Sequence, residues 1–325
     1  MAILNLEQAG EINRISEGTV LINEQPDIRQ GKRNPYMVGT FVTRESSCEF
    51  KIWEEQNYKT VVENGPGLYD VAVEGSEFNG TYYLTVKRIR PSEDPDLDRG
   101  DFLPFIPVVQ IKTFWREVNE KLMGLGLSAE ARAFAVRILN DSEIGGRFWR
   151  EGAASFFHDS KIGGLANHTL KMLRILTALL ENLPALQAST DLLYLGILFH
   201  DIGKIYEYDN LGPAEFWFAN HRVRGIELLS QFQEEITALY DERFYRHLQA
   251  IISGHHGEYG DRPTTVATAI IHYIDTLESQ VTGLLERQVA SRDSKFRGEW
   301  GFLEPIALSP DFYIDEPEGD DEPAE

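Results

Sequence analysis

DLLYLGILFHDIGK, residues 191–204, is an apolar run that leads directly into an adjacent histidine and aspartate. Its core, Leu192–Phe199, is the longest apolar stretch of the chain, yet it is far shorter than the roughly 18 residues that suggest a membrane span. The run therefore predicts a buried helix. His200 and Asp201 end this helix, so two polar groups are directed toward a core where they are costly unless they are paired.

The sequence around this stretch has a helical period. In HTLKMLRILTALLENL, residues 168–183, one stripe contains His168, Met172, Ile175, Leu176 and Leu179. The same kind of pattern predicts further helices at Glu130–Leu139, Ser189–Ile202, His221–Leu239, Arg243–Ser253 and Pro263–Leu285. The second half of the chain is expected to be all-helical.

The N-terminal part has a different pattern, typical of strands, from about Pro35 to Arg90. PYMVGTFV, CEFKIW and TYYLTVKRI are rich in β-branched and aromatic residues, with glycine and asparagine between them. Asn79-Gly80 lies between two of the runs and is the dipeptide that a tight hairpin prefers. A small antiparallel barrel or sandwich is expected here.

The boundary between these parts is expected in PSEDPDLDRGDFLPFIP, residues 91–107, which is rich in proline and acid and lacks periodicity. We predict a β-domain at 1–92, a linker at 93–107, a helical domain at 108–290 and a C-terminal extension at 291–325. Residues 311–325 contain eight acidic residues and no lysine or arginine, a composition that predicts a solvated tail.

Composition limits the function. The net charge of -21 argues against a broad electrostatic grip on a polyanion, so any contact with nucleic acid should be local. Cys48 is the single cysteine, which excludes an intrachain disulfide and fits a reducing compartment such as the cytoplasm. The sequence contains neither a recognisable signal peptide nor a membrane anchor, and no membrane contact is expected.

The histidines are clustered. All eight lie between His158 and His272, and Asp275 follows two isoleucines in a later predicted helix. A lone histidine on an apolar face is more often a hydrogen-bonded core residue than a ligand. Here, however, a histidine, an adjacent His–Asp pair and a later aspartate come from separate helices, a combination that favours a bound divalent metal.

The chain resembles the HD superfamily of metal-dependent phosphohydrolases, whose metal ligands occur in the same sequence order as His168, His200-Asp201 and Asp275. The form HDIGK and the pair His255-His256 resemble its two-metal phosphodiesterases, over roughly residues 156–285. More narrowly, GGLANHTLKML, SGHHGEYGDRP and IIHYIDTLES resemble the YhaM family of 3′-to-5′ exoribonucleases, which join an OB-fold to an HD domain. EFNGTYYLTVKRIRP and DFLPFIP extend this resemblance to most of residues 35–285.

The resemblance implies a fold and a set of site residues. An N-terminal OB-fold would precede an all-α HD domain with two divalent ions, Mn²⁺ first, with Fe²⁺, Co²⁺, Ni²⁺ or Mg²⁺ as alternatives. Asp201 would be shared between the ions and catalytic. The implied metal ligands are His168, His200, Asp201, His221, His255, His256 and Asp275.

Two further residues are catalytic candidates. Lys204 could meet a phosphate oxygen, the alternative being a solvated lysine at a helix end. His158 could touch the scissile phosphate or the leaving group, with a surface-loop histidine as the alternative. His247 and His272 lack a motif and are interpreted as structural.

For the OB-fold, single-strand binding requires aromatic side chains that stack on bases and a few basic residues along a groove. The predicted nucleic-acid-binding residues are Tyr36, Phe50, Lys51, Trp53 and Lys87. Side chains on a strand alternate between two faces, so about half of the aromatic residues should lie in the core. A packed barrel without a ligand is the alternative.

The sequence leaves three alternative functions open. The leading hypothesis is a 3′-to-5′ exonuclease acting on single-stranded RNA, with DNA as a further substrate. The second is an HD phosphohydrolase or phosphodiesterase of nucleotides or cyclic nucleotides, and the third is a non-catalytic binding or scaffold protein. The oligomeric state stays open, and a homo-oligomer is possible.

One segment differs from the family. Residues 215–229, EFWFANHRVRGIELL, are more aromatic than expected of the family.

Overall fold

The computed structural model describes residues 2–11, 14–31, 34–78, 80–153, 161–257, 261–290, 295–298 and 301–309. The predicted acidic tail, Asn79 of the predicted hairpin and His158 lie outside the described residues. Contacts divide the chain into two compact units, residues 1–104 and 105–325. This division falls inside the segment 93–107 that the sequence assigns to a linker.

The first unit is a six-stranded sheet with two helices. Its strands are β1 (Ile15–Ile22), β2 (Asp27–Gln30), β3 (Pro35–Val42), β4 (Ser47–Ile52), β5 (Gly67–Phe78) and β6 (Thr81–Pro91), and its helices are α1 (Leu6–Ala9) and α2 (Glu55–Asn64). β1 lies before the predicted strand region. Its interior Gly18 allows a close crossing, since a Cβ there would lie 2.8 Å from the Cα of Leu4.

The strands pair in the order β1-β5-β6-β4-β3-β2, and the end of β1 also pairs with β3 through Leu21–Val42 and Ile22–Phe41. All pairs are antiparallel except β4 with β6. The sheet is thus barrel-like and only partly closed. With α2 between β4 and β5, it is consistent with the predicted OB-fold, which is itself a partly open five-stranded barrel.

The alternation along β4 decides which of its side chains can meet a ligand. Phe50 and Ile52 point into the core, whereas Lys51 between them lies on the outer face. Phe50 is fully buried, stacks on Phe41 with ring centroids 4.1 Å apart, and packs over Gly39. The prediction that Phe50 binds nucleic acid is therefore wrong, because its ring fills the centre of the barrel.

The segment predicted as a linker is partly folded. Asp98 caps a 3-10 turn at Arg99–Phe102 by a capping box with Asp101, and this turn contacts β1. Phe102 and Leu103 are buried. The proline-rich composition did not predict this turn, which is anchored by the burial of Phe102 and Leu103.

The second unit is mostly helical, and helices occupy all the predicted segments, although those at Val108–Met123, Ile144–Phe148 and Lys204–Glu207 were not predicted. The helices are α3 (Val108–Met123), α4 (Ala129–Asn140), α5 (Ile144–Phe148), α6 (Gly164–Asn182), α7 (Thr190–Phe199), α8 (Lys204–Glu207), α9 (His221–Ser230), α10 (Gln233–Leu239), α11 (Glu242–Gly254) and α12 (Val266–Ala290). The unit also contains two short antiparallel ribbons, so it is mostly helical and not all-helical as predicted. The ribbons are β7–β8 (Tyr208–Asp209, Gly212–Pro213) and β9–β10 (Phe296–Gly298, Gly301–Leu303).

α7 is the centre of this unit. Residues 193–199 are all buried, and Gly196 lets α11 and α12 approach so closely that an added Cβ would lie 2.5 Å from the Cδ1 of Ile271. The helix predicted at 221–239 is instead two helices, broken where the ring of Phe232 meets Phe134 and Phe199. Among the described helices, none has the length and hydropathy needed to cross a membrane.

We predict that Phe50→Ala destabilises the first unit by about 3–5 kcal/mol, because it leaves a cavity in the barrel core. Phe78→Ala is the matched control, since Phe78 is exposed in the same sheet, and it should change the unfolding free energy by less than about 0.5 kcal/mol. Hydrogen exchange of peptides from β1 and β5 at increasing urea reports on this unit. Equal losses in the two variants would contradict the assigned strand faces.

Candidate metal centre

Five elements bring histidines and carboxylates to one place. α6 supplies His168, the end of α7 supplies His200 and Asp201, and α12 supplies Asp275. The start of α9 supplies His221, and the end of α11 supplies His255-His256. Within the described residues, two groups have ligand atoms within 4.8 Å of one another: His168, His200 and Asp201, and Asp201, His221, His255 and His256. Asp201 belongs to both.

His200 and His255 are oriented in the same way. Each is the C-cap of its helix, and its Nδ1–H donates back to the carbonyl three residues earlier: Ile197 O at 2.7 Å and Ile252 O at 3.0 Å. A carbonyl can only accept, so the proton is on Nδ1 and Nε2 carries the lone pair. The unpaired carbonyls at two helix ends thus fix the tautomer of two candidate ligands.

Carboxylates orient two other rings. The Nδ1–H of His221 donates to Glu207 Oε2 at 2.7 Å, and Nδ1 of His168 bonds to Glu278, which also pairs with Lys171. Such carboxylate–histidine pairs turn Nε2 toward the metal and raise its basicity. Sequence reasoning missed Glu207 and Glu278. Glu278 is three residues after Asp275 on α12 and therefore near the same helix face, but this spacing alone does not distinguish it from other acidic residues.

The Nε2 atoms converge on Asp201. His200 and His168 face its Oδ2, at 3.2 and 3.9 Å, whereas His255 and His221 face its Oδ1, at 3.4 and 3.5 Å. Asp275 Oδ1 lies 3.3 Å from Nε2 of His168. Asp201 Oδ1 and His255 Nε2 are buried and make no hydrogen bond. Buried polar atoms without partners are costly, and a cation among them would satisfy both.

The protonation states also fit a cation. Burial acts to raise the pKa of Asp201, but Lys204 and His200 outweigh it and hold this pKa well below its usual value. Burial lowers the pKa of His255, and burial with the neighbouring His255 lowers that of His256 to about 3. Burial acts to lower the pKa of His168, but Asp275 and Glu278 raise it to about 10. A cation at Nε2 of His168 would therefore replace a proton.

Lys204 is part of this centre. Its Nζ lies 2.7 Å from Asp201 Oδ2 and donates to the carbonyl of Ala153 at 2.5 Å, and its side chain is only 11% exposed. The alternative of a solvated lysine at a helix end is therefore wrong. Asp201 raises the pKa of Lys204 against the effect of burial, so the ammonium stays charged beside the two groups.

Gly203 sets the distance between α8 and α9. A Cβ on Gly203 would lie 1.8 Å from the carbonyl oxygen of His221 and 2.6 Å from the nitrogen of Gly225. Its φ of -65° is ordinary for any residue, so the reason for glycine is the close approach of the two backbones. This contact holds His221 against the His200-Asp201 pair.

Other residues singled out in the sequence have different positions. His272 donates from Nδ1 to the carbonyl of His255 at 2.6 Å and supports the loop after α11, and His247 lies half-buried on α11. In the first unit, Tyr36 and Trp53 stack on each other with centroids 4.5 Å apart. Lys51 lies over the Tyr83 ring and pairs with Glu49, and Lys87 pairs with Glu74.

Comparisons with known proteins agree with this geometry. Residues 165–280 match the HD domain family. The chain is 26% identical over 259 residues to the 3′-5′ exoribonuclease YhaM of Bacillus subtilis, covering 76% of this chain and 79% of the relative. It is 25% identical to YhaM of Shouchella clausii, covering 82% of this chain and 83% of that protein. No solved structure matches the chain.

The match at residues 165–280, inside the second unit, confirms the predicted resemblance to the HD superfamily. The chain as a whole is similar to the YhaM exoribonucleases over about three quarters of its length or more. Because 76% of the chain is more than the second unit contains, this similarity extends into the first unit.

We predict that Gly203→Ala destabilises the protein by about 1–3 kcal/mol, because the added methyl group forces α8 and α9 apart. It should also weaken divalent-metal binding, since His221 moves away from Asp201. Gly146→Ala is the control, because Gly146 is helical with open space around its Cβ position. Thermal unfolding and isothermal titration with Mn²⁺ give both quantities. Unchanged metal affinity in Gly203→Ala would contradict this role.

Proposed function

We propose that the protein is a metal-dependent 3′-to-5′ exonuclease that hydrolyses phosphodiester bonds of single-stranded RNA. The observation that carries this proposal is the cluster around Asp201, which offers one carboxylate oxygen to each of two histidine groups. The similarity to 3′-5′ exoribonucleases along both units supports RNA as the substrate. Single-stranded DNA remains a further predicted substrate.

The residues present suit two divalent ions. We assign His168, His200, Asp275 and Asp201 Oδ2 to one ion, and His221, His255, His256 and Asp201 Oδ1 to the other. Carboxylate suits Mn²⁺ and Mg²⁺ and imidazole suits Fe²⁺ and Ni²⁺, so the mixed set is compatible with Mn²⁺, the first candidate, and with the alternatives Fe²⁺, Co²⁺, Ni²⁺ and Mg²⁺. Divalent ions held by these residues would activate water as the nucleophile and would stabilise the attacking and leaving oxygens of the displacement.

The surrounding residues position these ligands. Lys204 holds Asp201 Oδ2 and keeps the carboxylate ionised, and the third N–H of its ammonium would donate to a phosphate oxygen of the substrate. Glu278 and Glu207 fix the rings of His168 and His221. His158 remains the predicted contact to the scissile phosphate or leaving group.

The first unit would bind the strand. Tyr36 and Trp53 form a stacked aromatic surface on the outer face of β3 and β4, and Trp53 is 47% exposed. OB-folds bind oligonucleotides on the equivalent two strands. Lys51 and Lys87 are paired with glutamates, so we expect stacking to contribute more than charge.

The alternatives are less favoured. A phosphohydrolase of free nucleotides or cyclic nucleotides would not need a barrel-like unit with an exposed aromatic pair. A scaffold with a degenerate HD domain would not need to retain all seven implied ligands, and these lie together on five elements. The exonuclease accounts for both units.

We predict that Asp201→Ala reduces hydrolysis more than about 100-fold, since loss of an outer-shell partner alone costs about 10–100-fold and Asp201 serves both groups. The test is digestion of 5′-labelled single-stranded RNA with Mn²⁺ and with EDTA, alongside circular dichroism. Glu234→Gln, at an exposed acid of α10, is the control. Full activity in Asp201→Ala, or equal activity of the wild type in EDTA, would sink the proposal.

We predict that replacing both Tyr36 and Trp53 by alanine raises KM for long single-stranded RNA by about 5- to 150-fold for each stacked base that is lost. Turnover of a dinucleotide should stay unchanged, because the ligands of the metal centre are intact. Phe78→Ala, at an exposed phenylalanine of the same sheet, should leave both unchanged. Unchanged KM in the double variant would rule out this surface as the strand-binding face.

A further inference from the structure

Phe216, Trp217 and Phe218 form an exposed aromatic run in the second unit. Their exposed fractions are 53%, 57% and 72%, and the rings of Phe216 and Phe218 meet edge-on with centroids 6.3 Å apart. Single exposed apolar residues are common, but three consecutive aromatic side chains make a contiguous patch, which commonly marks a binding surface. We call residues 216–218 the aromatic turn.

The aromatic turn is held next to the metal centre. Ala214 donates its N–H to the carbonyl of Glu207 at 3.0 Å, and the Glu207 carboxylate accepts from His221 Nδ1 at 2.7 Å. The chain on both sides of the turn is therefore bonded to one residue. Backbone bonds from Trp217 to Ala214 and from Ala219 to Phe216 close the turn itself.

This attachment limits the distance to the candidate ligands. Phe218 is three residues before His221, so their Cα atoms are at most about 11 Å apart. Asn220 caps α9 and accepts from the backbone N–H of Arg222, which fixes where the turn ends and the helix begins. The exposed rings thus lie close to the residue that faces Asp201 Oδ1.

The two arginines that follow the aromatic turn are engaged elsewhere. Arg222 donates to the carbonyl of Ser253, and Arg224 pairs with Glu227 and lies over the Tyr206 ring. With a net charge of -21, the protein gains little affinity for a polyanion from long-range attraction. Stacking on aromatic rings is the interaction that can hold unpaired bases under these conditions, and it tolerates any sequence.

We infer that the aromatic turn stacks on the unpaired bases nearest the 3′ end of the strand and so guides that end into the metal centre. This inference rests on the proposed function, because it takes single-stranded RNA as the ligand. It assigns a second strand contact, separate from the Tyr36–Trp53 surface.

The test measures RNA binding in EDTA, where hydrolysis is suppressed, with the full chain and a 5′-fluorescein-labelled single-stranded RNA. Trp217→Ala should weaken binding about 5- to 150-fold, the effect of one lost stacking contact. Trp217→Phe should restore most of it, because a smaller ring still stacks. Phe302→Ala removes an aromatic ring that is 78% exposed in the same unit and should have no effect.

A set of RNAs with one abasic position each locates the contact. An abasic site near the 3′ end should weaken binding to the wild type but not further weaken binding to Trp217→Ala, because both changes remove the same contact. Additive losses, a contact mapped far from the 3′ end, or unchanged affinity of Trp217→Ala would overturn the inference. So would a change in sedimentation of Trp217→Ala without RNA, which would make the turn a contact between copies of the chain.

The binding result is independent of the hydrolysis result. If the wild type shortens RNA from its 3′ end while Trp217→Ala binds normally, the inference fails and the proposed function stands. If the wild type binds RNA through Trp217 near the 3′ end but hydrolyses none in Mn²⁺, the exonuclease proposal fails instead.

Discussion

Four histidine Nε2 atoms lie 3.2–3.9 Å from the two oxygens of Asp201, and all five residues are buried. Two atoms of this cluster, Asp201 Oδ1 and His255 Nε2, make no hydrogen bond. Convergence of this kind is costly to build and is stabilised by a cation. The packing of the surrounding helices serves to hold this arrangement.

The helices hold the ligands through backbone as much as through side chains. His200 and His255 each end a helix and use its unpaired carbonyls to fix their rings. Gly196 and Gly203 allow neighbouring elements to approach closer than any side chain would permit. Because α7 is buried along most of its length, the His200-Asp201 pair at its end has little freedom. These backbone contacts restrict the candidate ligands, and such restriction lowers the entropic cost of binding an ion.

The cluster around Asp201 could be predicted from sequence because its residues break the apolar pattern. A histidine on the apolar stripe of α6 and a His–Asp pair after an apolar helix are visible without a structure. Glu278 and Glu207 were not visible in this way, because acidic residues on half-exposed helices are common and only their bonds to His168 and His221 distinguish them. The resemblance to the HD superfamily supplied the order of the ligands, and the geometry shows how each is oriented.

The barrel-like unit was harder to predict in detail. The composition was enough to predict that strands are present. Side chains on a strand alternate between two faces, but this alternation does not say which face is buried, and so Phe50 was assigned to the wrong face. β1 was missed because Glu17 and Gly18 interrupt its apolar pattern, and that glycine is required by the chain crossing at Leu4. α3 was missed as well, since its N-terminus follows a proline-rich segment that reads as a linker.

Anomalous X-ray diffraction at the manganese edge, from crystals of the Mn²⁺-replete protein, would locate bound ions directly. We expect two anomalous peaks in the second unit, one beside His168, His200 and Asp275 and one beside His221, His255 and His256, with Asp201 contacting both. A single peak at one group would reduce the centre to one ion. Peaks only at surface carboxylates, with the atoms around Asp201 unchanged, would show that the cluster does not bind metal.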